Sequence, residues 1–182
     1  SLAVLSASLV ATSAAAQEPA AAAGSQVAVA DPSSPAPRST HVRGCDQKAR
    51  DLLAQGRLSS PTFAGLLGAL EESDLLVFVD TGILRAPGHL QFAGANGRGR
   101  MVRITINVPD SDVKLLASLA HELQHAVEVA GAPSVRDGAA LVALYQTIGY
   151  QRDTGGYCTR EAQRVEATVL GETLAAPMAF RR

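Results

Sequence analysis

His121, Glu122 and His125 limit what this chain can fold into more than any other residues in it. Pro109-Asp110-Ser111-Asp112 opens a long helix around them, with Asp110 or Ser111 as N-cap, and Gly131 and Pro133 close it after Ala130. Leu115, Leu116, Leu119, Leu123 and Val127 give that helix an apolar stripe. Residues at i and i+4 lie one turn apart on one helix face. His121 and His125 can therefore present two imidazoles to one cation, as tetrahedral Zn²⁺ requires. Glu122 projects beside that cation rather than onto it. There it can take a proton from a water whose pKa the metal lowers toward about 7. This is the HExxH pattern of metallohydrolases, with Glu122 as general base. The rival readings are a metal kept for structure alone, and two solvated imidazoles beside an ordinary surface carboxylate.

The rest of the chain reads as one domain around that helix. Asp46 to Gln55 has helical spacing, with Gly56 as a stop. Ser60 caps a second helix that starts at Pro61. Leu75–Val79 is a buried strand, His89–Ala93 a second, and Arg100–Val108 a third, joined to the second by a Gly94–Gly99 hairpin loop. Helices over Ser134–Ile148 and Arg160–Leu174 follow, the latter capped by Thr159. Two helices, three strands and three helices predict an α+β domain, with a small mixed or antiparallel sheet packed on the long helix.

Residues 41–176 carry this domain. Residues 1–16 are apolar and uncharged as far as an Ala-rich exit, which reads as a signal peptide cut after Ala16, its start truncated. An apolar run of about ten residues is too short to span a bilayer. Residues 17–40 are an Ala/Pro/Ser linker, and 177–182 a tail. The expected location is secreted or periplasmic. With a net charge of -1, no Trp and 4% aromatic residues, the chain lacks the basic surface and stacking rings of a nucleic-acid binder. Cys45 and Cys158 flank the domain and suit a disulfide in an oxidising compartment.

A zinc site needs a further donor. The metzincin extension is excluded, because no His follows His125. A gluzincin arrangement takes a Glu from a downstream helix, where Glu161, Glu166 and Glu172 are available. A deformylase-like site would need a cysteine motif that Cys45 lacks.

The stretch Leu116–Ala130, with Ser60-Pro61-Thr62-Phe63 and Ser73–Val79, resembles a group of uncharacterised bacterial zincin-like proteins. The resemblance covers Asp46 to Leu174 and implies a gluzincin-type minimal metalloprotease fold. It also implies a Glu ligand where this chain has Cys158. Three donors stay open: Glu161 first, for its place in the same turn of helix; Cys158 as thiolate; and Glu166, which lies among Ala162, Val165, Val169 and Leu170.

Smaller expectations complete the site. Glu128 can orient a ligand His. Tyr157 is the best placed of the tyrosines to donate to an oxyanion. His89 reads as a surface residue. The expected activity is that of an exported zinc-dependent metallopeptidase, with a substrate peptide pairing along the exposed edge of the Arg100–Val108 strand. The alternative is an inactive module that keeps the fold and the metal.

Overall fold

The computed structural model describes residues 41–108, 110–152 and 156–176. The signal peptide, linker and tail expected from the sequence lie outside them.

The fold begins with a strand the sequence does not announce. β1 (Val42–Gly44) is too short to show an alternation, and it forms by pairing parallel to β2 (Leu75–Gly82), with Val42 opposite Val77. Between them run α1 (Gln47–Ser59) and α2 (Pro61–Glu71). Asp46 caps α1 by accepting from the Ala49 amide at 2.8 Å. Ser60 caps α2 as expected, accepting from Phe63 at 2.9 Å. Gly56 does not stop α1. A Cβ there would lie 2.7 Å from the Phe63 ring, so this glycine makes room for the ring while the helix continues.

β3 (Gly88–Asn96) and β4 (Gly99–Asn107) form the expected hairpin. The strand order is β1-β2-β4-β3, with β3 antiparallel to β4 and the other pairs parallel. The sheet is therefore mixed. β4 lies in its interior, hydrogen-bonded on both sides, so the expected free edge along Arg100–Val108 is not there. β3 is the edge strand on that side, and β1 the edge on the other. Alternation reports a strand's buried face, not how many neighbours flank it.

One sheet face carries Leu75, Val77, Val79, Val102, Ile104 and Ile106, all buried. It packs on α3 (Asp112–Ala130), whose Leu115, Leu116, Leu119 and Leu123 belong to the same core. Arg100 fixes the end of α3 to the sheet. Its side chain is buried, pairs with Asp74 at 2.6 and 2.9 Å, and donates to the carbonyls of Val129, Ala130 and Ala132. The Val129 and Ala132 carbonyls also accept from the Ala132 and Val135 amides, so Arg100 adds to the backbone bonds that close this helix end.

α4 (Gly138–Ile148) starts later than its apolar spacing suggests, because Asp137 caps it through the Ala140 amide. The expected loop before the last helix contains a small hairpin of β5 (Tyr150–Gln151) and β6 (Tyr157–Cys158). α5 (Arg160–Ala175) follows, capped by Thr159 as expected, and packs against α3. Among the described residues no helix is long and apolar enough to cross a membrane.

Candidate metal centre

Three buried side chains meet where α3 passes β6. They are His121, His125 and Cys158, and their donor atoms all lie within 4.8 Å of one another, close enough to hold a metal ion. The imidazoles come from consecutive turns of α3, with ring centroids 4.9 Å apart. Cys158 ends β6, and its sulfur lies 3.8 Å from His121 Nε2.

Carboxylates orient both rings. His121 Nδ1 is 2.8 Å from Glu166 Oε2, and His125 Nδ1 is 2.8 Å from Glu128 Oε2. An ionised carboxylate only accepts, so each Nδ1 donates to it, and in the neutral imidazole Nε2 is the atom left to bind a cation. Glu128 is itself held by the Thr159 hydroxyl at 2.6 Å. Among the described residues, the buried His125 Nε2 has no hydrogen-bond partner. Buried polar atoms rarely stay unpaired. An orphaned lone pair beside a second imidazole and a thiol fits a cation.

The structure does not bring Glu161 to this cluster. Its side chain is 47% exposed and pairs with Arg164. Ala162, Val165 and Val169 are the buried face of α5, which turns Glu161 toward solvent. Glu166 reaches the site as the partner of His121 Nδ1. Glu172 is engaged elsewhere, accepting from Ser60 and Thr62 at the start of α2. Cys158 supplies the remaining donor. The expected disulfide is not formed: Cys45 is exposed, Cys158 is buried, and both are free thiols.

No family model, curated protein or solved structure matches the chain.

Glu122 is buried beside the two imidazoles and makes no hydrogen bond among the described residues. Desolvation pushes its carboxyl above the ordinary carboxylate range, and nearby His125, His121 and His89 offset part of that. It opens on a cleft of about 760 Å³. Gly88, Leu90 and Phe92 of β3 line one wall, and Leu141 and Val142 of α4 the other. Exposed His89 lines this cleft too, with Arg85 and Arg152.

Two tyrosines pack at the site. Tyr145 backs the site: its hydroxyl donates to the His125 carbonyl at 3.0 Å and its ring meets the His125 ring edge-on at 5.0 Å. Burial pushes that hydroxyl above its usual range and keeps it a donor. Tyr157 stacks on Tyr145 at 6.4 Å and lines the cleft. Core or loop packing is the ordinary sequence reading of Tyr145, and the structure places it in the core; Gly88 carries only the signal of a turn in the sequence.

Proposed function

We propose that the protein is a zinc-dependent hydrolase acting on peptides, with the metal held by His121, His125 and Cys158. One observation carries the metal: His125 Nε2 is buried and unpartnered while its Nδ1 is fixed by Glu128. Two imidazoles and a thiolate suit Zn²⁺, and three protein donors leave a fourth position open, as in catalytic sites. When bound, such an ion polarises a carbonyl and acidifies a water.

The chain's own groups supply the rest. Glu122 sits beside the donor cluster with an unshared carboxylate in a desolvated setting, which suits it to accept the proton of an attacking water and pass it to the leaving amine. Glu128 and Glu166 hold the imidazoles in the orientation that presents Nε2. β3, the sheet edge along the cleft, offers backbone groups to an extended substrate. Leu90, Phe92, Leu141 and Val142 line it for apolar side chains. These features support a zincin-type metallopeptidase, and the apolar segment 1–16 supports one that is exported.

The test is metal analysis of protein purified from metal-balanced medium, with peptide-library hydrolysis by the wild type and Glu122→Gln. Bound zinc and hydrolysis that falls to a small residual rate in a zinc-retaining Glu122→Gln variant are expected. Metal-free wild-type protein overturns the reading. The cysteine at the position where the resemblance implies Glu favours one alternative, a metal-holding module without turnover. Stoichiometric zinc with no cleavage of any library peptide would establish it.

A further inference from the structure

Gly88 opens β3 and lines the cleft. A Cβ placed on it would lie 2.8 Å from both Cγ and Oε1 of Glu122, and 3.1 Å from Cδ. Optimal carbon–carbon separation is about 3.5–4.0 Å, so no side chain fits without a displacement. Backbone conformation is not what calls for glycine here, because Gly88 is not among the positive-φ residues. The three atoms nearest that Cβ all belong to Glu122.

The two partners are not equally free to yield. Gly88 is tied into the sheet, opposite Ile106 in the β3–β4 ladder. The Glu122 carboxylate is the end of a flexible side chain and makes no hydrogen bond among the described residues. Packing is what sets its direction, and the bare backbone at Gly88 supplies that packing from the cleft side. We propose that Gly88 is a positioning residue, the wall that seats the Glu122 carboxylate beside the donor cluster. This rests on the reading of Glu122 as the proton acceptor. Any side chain at position 88 turns the carboxylate out of line while the imidazoles and Cys158 stay in place.

Gly88→Ala, Glu122→Gln and the double variant are compared for zinc content, kcat, KM and melting temperature, with Gly68→Ala as control because nothing lies within 4 Å of its added Cβ. Gly88→Ala is expected to keep zinc and KM and to lose kcat on the order of 100-fold, the scale of an ångström's misplacement. In the Glu122→Gln background the same change should cost no further activity, since it acts through the carboxylate. The carboxyl ¹³C resonance of Glu122, assigned by its absence in Glu122→Gln, should shift in Gly88→Ala. Should Gly88→Ala fail to fold, Glu122→Ala in the same chain must restore folding by removing the obstacle; persistent unfolding overturns the proposal. An unmoved resonance with unchanged kcat overturns it as well. A wild type without hydrolysis defeats the reading of Glu122 as base instead, and the resonance still reports whether Gly88 seats it.

Discussion

His125 Nδ1 lies 2.8 Å from Oε2 of Glu128, one turn further along the same helix. That pairing fixes the ring so that Nε2 faces the donor cluster. Glu128 is in turn held by Thr159, which caps α5, so the second helix helps aim a side chain of the first. Replacing such an outer carboxylate commonly costs about 10–100-fold in metal affinity. Glu128→Gln should weaken zinc binding by that amount in competition with a chelator, with little change in far-UV circular dichroism.

Cys158 is buried with its sulfur 3.8 Å from His121 Nε2. Cobalt-substituted wild-type protein should show a thiolate-to-metal charge-transfer band in the near ultraviolet. Cys158→Ser should abolish it. Zinc at about 100 times its dissociation constant should stabilise the wild type by about 2.7 kcal/mol, and the serine variant much less at the same concentration. An absent band in a cobalt-loaded wild type would exclude the sulfur as ligand.

Arg100 is a buried charge whose removal leaves the end of α3 without its donors. Breaking a buried charged pair by deleting one partner costs about 3–5 kcal/mol. Half of the Asp74 side chain reaches solvent, so Arg100→Met should fall toward the lower end of that range in urea unfolding. The loss combines the broken pair with Asp74 and the hydrogen bonds that the carbonyls at the end of α3 no longer receive.

The hydrogen bonds from Arg100 hold the Asp74 carboxyl below its ordinary value of 3.8. A carboxyl whose pKa is lower folded than unfolded favours the native state when ionised. Its contribution is complete above the ordinary value and fades as pH falls below 3.8 through the folded value. Metal-free wild-type protein should lose urea resistance over that acidic range. Asp74→Asn should be less stable at neutral pH and flatter below it.

Two glycines in neighbouring helices should respond in opposite senses. The Phe63 ring occupies the space beside Gly56, whereas Gly68 faces open space. Gly68→Ala should gain about 0.5–1 kcal/mol from helix propensity. Gly56→Ala should lose stability, because the ring must move out of the core. Thermal unfolding of the two variants checks the contrast.

Local pattern determined much of this protein. The apolar stripe from Leu115 to Val127 specifies the long helix, and helical spacing then puts His121 and His125 on one face with Glu122 beside them. Ser60 and Thr159 announce their helices because a cap depends only on the next few residues. Gly56 shows the complementary case: a glycine that stops a helix and one that admits a ring look alike until Phe63 is placed.

Only the tertiary structure brings Cys158 to the two imidazoles, makes β3 an edge and sets Gly88 against Glu122. Glu161 and Cys158 are three residues apart, and either could be brought to His121 by a plausible turn. The packing of Ala162, Val165 and Val169 sets the rotation of α5, which sends Glu161 to solvent and leaves Cys158 at the site. β3 became the edge because β2 pairs with β4, a contact between distant segments that alternation cannot encode. Helical periodicity fixes the face a residue occupies, but which neighbour meets that face depends on how the elements dock.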